Sequence, residues 1–235
     1  MLSEYKFSLG RYLERRLKNR IKNQIDLIKL CLESSREILV SNDTKEVFRD
    51  KDEGFRIVYP NQSGERMQRA FFLNKRNDYN SQPMYTIHTF VYPFKINKET
   101  DGSFKILANF SNIDAFEINS QSISQIMSLV NIIDKEELTW GDTWVEELMD
   151  LLFGKGSYPA TDQLFYIINE LLLFDFGYLR FDNDPEHEGQ NHPKYHIDNH
   201  INNKATFKLG LKNSMGISEL INLLDNSTTV KYIDY

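Results

Sequence analysis

The segments that decide the predicted fold lie near the C-terminus and read YLRFD (residues 178–182), KYHIDNH (194–200) and TFKLGLK (206–212). Apolar and polar side chains alternate along each of them, which is typical of a β-strand with one buried and one polar face. The apolar side carries leucine, phenylalanine, tyrosine and isoleucine. We therefore predict neighbouring antiparallel strands whose apolar side packs against helices.

The polar side of these strands is the candidate functional site. Even-numbered residues share it, because successive side chains of a strand point to opposite faces. Lysine and arginine can hold the charge of a phosphate group, and histidine can act on it as a base or nucleophile. The alternative is a solvated face without chemistry. The candidate catalytic residues are Arg180, Asp182, His192, Lys194 and His196.

The middle of the chain predicts further strands and helices. The runs 84–94 and 104–110 are rich in β-branched and aromatic residues, and the link NKETDG (97–102) predicts that they form an antiparallel pair. Apolar spacing and capping residues predict helices over 123–133, 143–153, 161–174 and 217–224, and a last strand over 228–233. The fold class that follows is α+β, with a long N-terminal helix and an antiparallel sheet packed against helices.

The first 40 residues predict that long helix. Apolar residues recur at steps of three and four from Leu13 to Leu32, and no proline interrupts them before Pro60. We therefore divide the chain into a basic amphipathic helix over 1–40 and a single α+β domain over 41–235. A second stripe on the helix could contact nucleic acid or a partner protein through Arg11, Arg15, Lys18 and Lys22.

Composition and charge set the broad class. The chain has 235 residues, of which 40% are hydrophobic, a net charge of −6 and one cysteine, Cys31. This content supports a folded core, and the acidic balance argues against indiscriminate nucleic-acid binding. One cysteine excludes an internal disulfide and a zinc site built from several thiolates. The sequence has no secretory signal or apolar segment of membrane length, so we expect a soluble cytoplasmic protein without membrane contact.

The histidine-rich strand raises the question of a metal ion. His192, His196 and His200 are spaced four residues apart, and four residues of an extended strand span roughly 13 Å. One zinc ion binds imidazole nitrogen at about 2.0–2.1 Å and cannot hold such a ladder. A site made from His196 with Asp182 or Asp184 remains open. The sequence assigns no metal ligand and leaves any cofactor unknown.

The tripeptide HPK at 192–194 is similar to the H-x-K core of phospholipase-D-like nucleases. Gly210 and Asn213 resemble the glycine and asparagine of the element that follows this core. The pattern departs at Asn199, where an acid is expected, and at Leu211, where a serine is expected. The resemblance implies a phosphodiesterase with His192 as nucleophile and Lys194 on the phosphate, in a dimer that supplies the second histidine.

A broader resemblance covers roughly the last 60 residues. FDFGYLRFDNDP (174–185), HPKYHIDNH (192–200), ATFKLGL (205–211) and a short helix resemble the C-terminal part of an uncharacterised family of bacterial proteins met near restriction, antiviral or mobile-element genes. The resemblance implies a genomic neighbourhood and no reaction. Our first hypothesis is thus a component of a bacterial defence or mobile-element system that works in a complex, with a partner protein or a second copy. The rival hypotheses are a metal-dependent or histidine/lysine phosphodiesterase and a purely structural subunit.

Overall fold

The computed structural model describes residues 3–19, 21–41, 52–59, 68–110, 114–136, 161–200 and 206–225. These residues form antiparallel strands and helices in similar proportion, so the predicted α+β class is confirmed. The strands are β1 (Ser3–Phe7), β2 (Gly54–Tyr59), β3 (Arg69–Tyr79), β4 (Gln82–Val91), β5 (Lys95–Lys98), β6 (Phe104–Ala108), β7 (Phe116–Ile118), β8 (Leu179–Asn183), β9 (Tyr195–His200) and β10 (Thr206–Leu211). The helices are α1 (Arg11–Lys18), α2 (Gln24–Val40), α3 (Ser120–Glu136), α4 (Thr161–Leu173) and α5 (Ile217–Leu224).

The chain forms two compact units. The first is made from 1–18, 44–92 and 176–235, and the second from 19–43 and 93–175. The first unit contains a seven-stranded sheet in the order β1-β2-β3-β4-β8-β9-β10, and the second contains a three-stranded sheet in the order β5-β6-β7. No helix in the described part of the chain has the length and apolar character needed to cross a membrane.

The second unit packs α2 against α3, α4 and strand β6. Helix α2 begins where the side chain of Asn23 accepts a hydrogen bond from the backbone of Asp26 at 3.0 Å, which is N-capping. At the same end of α2, the side-chain amide of Gln24 donates to the last carbonyls of α4, including that of Leu172 at 2.6 Å. The Lys29 ammonium reaches Asp134 of α3 at 2.7 Å.

Each face of the seven-stranded sheet has its own character. The face that carries odd-numbered residues of β3, β4 and β8–β10 is apolar and packs on Ile217, Leu220 and Ile221 of α5. On the opposite face, a row of stacked rings runs from β1 to β4, with centroid distances of 4.9 Å for Phe7–Phe55 and 5.2 Å for Phe55–Phe72. The antiparallel register continues this row into charged residues on β8, β9 and β10. In strands β8, β9 and β10 the charged side chains thus lie on one side of the sheet, as the alternation predicts.

The predicted long N-terminal helix is wrong. Residues 3–7 are the edge strand β1, and two helices follow it, separated between Lys18 and Gln24. Leu17, Ile21 and Ile28 are all buried, so the apolar spacing continues in the sequence although the helix is interrupted between them. Asn23 ends the continuity, since its side chain caps α2 instead of extending a helix from α1.

The predicted pairing of 84–94 with 104–110 is also wrong. Strand β4 pairs with β3 and β8, whereas β6 pairs with β5 and β7. The turn over 97–102 does make a hairpin, but its first strand is the short β5, which begins after Pro93. The predicted helix 143–153 and strand 228–233 lie outside the described residues.

Candidate functional site

Two cross-strand rows of polar residues meet on the face opposite α5. In the first row His88, Arg180, Asp198 and Lys208 are register partners across β4, β8, β9 and β10. In the second row, Thr86, Asp182, His196 and Gly210 are partners across the same strands. Directly opposed residues of an antiparallel pair have Cβ atoms about 4.5–5.5 Å apart, so the register brings these side chains into contact. We call Arg180, Asp182, His196, Asp198 and Lys208 the polar cluster.

Arg180 joins the two aspartates of the polar cluster. Its Nε donates to Asp182 Oδ2 at 2.7 Å, and its terminal nitrogen donates to Asp198 Oδ2. Asp182 also accepts from the Thr86 hydroxyl at 2.7 Å. A guanidinium suits this position because it stays charged and donates in several directions at once. The two carboxylates are therefore held in fixed orientations.

His196 is fully buried at the centre of the polar cluster. Its Nδ1 lies 2.7 Å from the carbonyl oxygen of Pro193, which can only accept, so Nδ1 carries the proton. Its Nε2 lies 2.8 Å from Lys208 Nζ and 3.3 Å from Asp182 Oδ2. Nε2 thus lies between an ammonium, which can only donate, and a carboxylate, which can only accept.

Lys208 closes the polar cluster on its outer side. Its Nζ lies 3.0 Å from Asp198 Oδ1, and its side chain is 31% exposed. His196 and Asp182, by contrast, have side chains 1% and 6% exposed. The ammonium is thus the one member of the polar cluster with substantial access to solvent.

The segment before β9 folds over His196. The ring of His192 lies edge-on to that of His196, with centroids 4.6 Å apart. Pro193 covers Gly210, where a Cβ would come within 2.9 Å of the proline Cγ. The site is therefore enclosed on this side and is not the open surface that an isolated strand would present.

Electrostatics distinguish the acids and histidines of this region. Burial raises the pKa of Asp182, but the contacts with His196, Arg180 and Thr86 outweigh it and hold the pKa well below its ordinary value. Burial lowers the pKa of His192, and the charge of Lys208 lowers it further. The hydrogen bond to Asp184 raises the pKa of the exposed His187. Strong shifts beside opposite charges are common at functional sites.

The structure places the five predicted catalytic residues in different positions. Arg180, Asp182 and His196 lie together in the polar cluster. His192 is adjacent, although it precedes β9 and does not lie within the strand. Its ring is much nearer to His196 than the roughly 13 Å expected for one extended strand. Lys194 is directed elsewhere, since its Nζ donates to Gln82 at 2.7 Å and lies 5.0 Å from the Tyr195 ring centre.

Two members of the polar cluster, Asp198 and Lys208, were not among the predicted site residues. Alternation places both on the polar face, but their contact with Arg180 and His196 depends on the register between β8, β9 and β10. That register is set by the connecting segments, whose lengths do not reveal it. Charged residues spaced two apart along a strand share one face of the sheet. This spacing is the signal that could have identified Asp198 and Lys208.

Three of the four predicted basic contact residues are exposed on α1. Arg11, Arg15 and Lys18 face outward, while Leu13 and Leu17 are buried. Lys22 is also exposed, but it follows α1 and belongs to the second unit. The stripe is therefore shorter than the predicted one.

Cys31 is not a candidate nucleophile. It is fully buried in α2, and burial raises the pKa of its thiol well above the ordinary value. A thiol that stays protonated at neutral pH is a poor nucleophile. Its role is that of a small core residue.

Two groups of side chains bring three ligand-type atoms within 4.8 Å of one another. One is Asp182, His196 and Asp198, which are all buried, and the other is Asp184, Glu186 and His187, of which two are exposed.

Comparison with known proteins gives no match: no family model, no curated protein and no solved structure matches this chain. The function of this chain must therefore be inferred from the chemistry of the polar cluster.

Proposed function

We propose that the polar cluster cleaves phosphodiester bonds and that nucleic acid is its substrate class. The observation that carries the proposal is the convergence of two cationic side chains, a histidine and two carboxylates at one half-enclosed place on the sheet. Such a set is larger than a single structural ion pair requires. It also contains each kind of group that phosphoryl chemistry uses.

The chemistry assigns each group a role. Cleavage of a phosphodiester places extra negative charge on the phosphate oxygens, and fixed cations stabilise that charge. Arg180 and Lys208 supply the positive charge, and the Lys208 ammonium does so from the solvent side. His196, with Asp182 and Asp198, supplies the group that activates water, either as a base or as part of a metal site.

The resemblance to H-x-K nucleases is less well supported by the geometry. That route needs the side chains of His192 and Lys194 to meet one phosphate group. Lys194 instead donates to Gln82, whereas His192 lies against His196. The proposal therefore uses Lys208 in the phosphate-binding role that HPK would give to Lys194.

A second function, contact with nucleic acid or a partner protein, is favoured by α1. Arg11, Arg15 and Lys18 lie on one exposed side of a helix whose leucines are buried. Each phosphate contact adds a salt-dependent increment to the affinity. On duplex DNA, each contact steepens the fall of log affinity with log salt concentration by about 0.9. Together with the family resemblance, this supports the proposal of a bacterial defence or mobile-element component that acts in a complex.

The test of the first proposal is a cleavage assay. The full chain is incubated with labelled single-stranded DNA, duplex DNA and RNA, with Mg²⁺, with Mn²⁺ or with a chelator. We expect cleavage of at least one substrate, lowered by about 10²-fold or more in His196→Ala, since general acid–base groups typically contribute 10²–10⁴-fold. Lys75→Ala, at an exposed lysine of the same sheet, is the matched control and keeps full activity.

The variants also separate the two routes. Loss of activity in Lys194→Ala but not in Lys208→Met would support the H-x-K route and overturn the roles proposed for the polar cluster. Equal cleavage by the wild type and His196→Ala would place the activity elsewhere or in a contaminant. Salt-sensitive binding without cleavage, weakened in Arg15→Ala, would leave the contact function of α1 as the better proposal.

A further inference from the structure

We propose that Asp182, His196 and Asp198 form a binding site for a divalent transition-metal ion, and that the Lys208 ammonium occupies this site when the metal is absent. The inference gives the proposed phosphodiesterase its cofactor and in that sense rests on it. Metal binding itself is measurable without any turnover. The two ideas can therefore fail separately.

The separations of the three ligand atoms fit one ion. His196 Nε2 lies 3.3 Å from Asp182 Oδ2 and 3.8 Å from Asp198 Oδ1. Ligands at about 2.1 Å from a tetrahedral ion lie about 3.4 Å from one another. These two distances are close to this value, and all three ligand atoms lie within 4.8 Å of one another, so side-chain movements of about an ångström bring them to bonding distance.

The ligand atoms are already oriented by their neighbours. Metal-binding histidines usually donate their second ring N–H to a carbonyl or a carboxylate, which fixes the tautomer and the direction of the free nitrogen. The carbonyl oxygen of Pro193 has this role at His196. Thr86 and Arg180 hold the Asp182 carboxylate in the same manner.

Lys208 marks the position of the ion. Its Nζ lies 2.8 Å from His196 Nε2 and 3.0 Å from Asp198 Oδ1, so it already contacts two of the three ligand atoms. Asp198 Oδ1 is buried, and its geometry gives it no hydrogen bond within the described part of the chain. This carboxylate oxygen is paired with the Lys208 ammonium by charge and has lone pairs left to bind a cation.

Exchange between the ammonium and a metal ion follows from their unequal access to solvent. The Lys208 side chain is partly exposed and can turn outward, whereas the three ligands are held in the sheet. One imidazole and two carboxylates suit ions such as Zn²⁺, Mn²⁺ and Co²⁺. An expelled Lys208 would stand beside the bound ion and meet the anionic oxygens of a phosphate.

Isothermal titration of the metal-free full chain with Zn²⁺ and with Mn²⁺ tests the site. We expect one ion per chain, with affinity lowered by about tenfold or more in His196→Ala and in Asp198→Asn. Lys208→Met removes the competing cation and keeps most of the length of the side chain, so the affinity rises by about tenfold or more. The control is His187→Ala, which dismantles the exposed group of Asp184, Glu186 and His187 and leaves the affinity unchanged.

Chemical labelling of lysine amines gives a second readout in the wild-type protein. Acetylation of Lys208, followed by mass spectrometry, should accelerate severalfold on addition of the metal, while that of Lys75 stays constant. No binding, binding lost only in His187→Ala, or a Lys208 labelling rate that ignores the metal would each overturn the inference. Stoichiometric binding without cleavage of any substrate would uphold the site and count against the phosphodiesterase. Cleavage that survives chelation of the metal would support the phosphodiesterase and count against the metal site.

Discussion

His196 and His192 are neighbouring histidines whose rings have different surroundings. The His196 ring is fully buried and held between the carbonyl oxygen of Pro193 and the Lys208 ammonium. His192 is half-buried against that ring and close to Lys208, so a second positive charge there is unfavourable. The neutral form of His192 is therefore more favoured than it is in an exposed histidine.

The titration of His192 should report on Lys208. Burial and the Lys208 charge lower the pKa of His192 below its ordinary value of 6.5, whereas Asp184 raises that of His187. Proton NMR of the imidazole rings should show His192 titrating below His187. In Lys208→Met the pKa of His192 should rise toward 6.5 while that of His187 stays fixed. A His192 titration unaffected by this change would mean that the lysine lies elsewhere in solution.

At the scale of the element, the segment before β9 depends on a glycine in β10. A Cβ at Gly210 would lie 2.9 Å from Pro193 Cγ and 3.2 Å from its Cβ, and a proline ring cannot rotate away. Gly210→Ala should therefore displace Pro193 and with it the carbonyl that orients His196. Overpacking of this kind typically costs about 1–3 kcal/mol.

Urea denaturation and metal titration together check this prediction. We expect Gly210→Ala to lower both the free energy of unfolding and the metal affinity. Gly189→Ala is the matched control, because its added Cβ meets only a backbone oxygen 4.0 Å away. If Gly210→Ala is as stable as the wild type and binds metal equally well, the cover over His196 is looser than the structure indicates.

The same element shows why the sequence predicts some features and not others. Period-two alternation correctly places Arg180, Asp182 and His196 on one face, because it depends only on neighbours in the chain. It fails for His192, which has the right parity but lies in the turn linked to Gly189. Long-range pairing is harder still: β4 pairs with β8, about ninety residues further along the chain, which no local pattern can indicate.

Across the whole molecule, one row of the seven-stranded sheet joins packing to chemistry. Register partners run from Phe7 through Phe55 and Phe72 to His88, and on through Arg180 and Asp198 to Lys208. The aromatic half buries large apolar area, which stabilises the fold. The charged half takes ions out of water, and desolvation offsets much of what their pairing contributes. Such a charged cluster therefore contributes less to the stability of the sheet than well-packed apolar residues at the same positions would.

The stability of the fold should depend on pH through Asp182. Its pKa is lowered in the fold, so its contribution to stability is complete above the unfolded pKa of about 3.9 and is lost as the pH falls toward the lower folded value. Asp182→Asn leaves Arg180 without one of its two carboxylates and should lower the free energy of unfolding by about 3–5 kcal/mol at pH 7. Since the variant has no carboxyl to titrate, its deficit relative to the wild type should shrink as the pH drops below about 4.

Urea denaturation at a series of pH values measures this deficit, with Asp78→Asn at an exposed position of β3 as the control that should show little difference at any pH. A deficit for Asp182→Asn that stays constant down to roughly pH 2–3 would mean that this carboxyl titrates at the same pH in the folded and the unfolded chain, so that the fold does not lower its pKa. A deficit close to zero at pH 7 would be more serious, because Arg180 would then not depend on Asp182. In that case the two aspartates would not be held in place by the guanidinium, and neither the phosphate site nor the metal site would have the fixed geometry on which both depend.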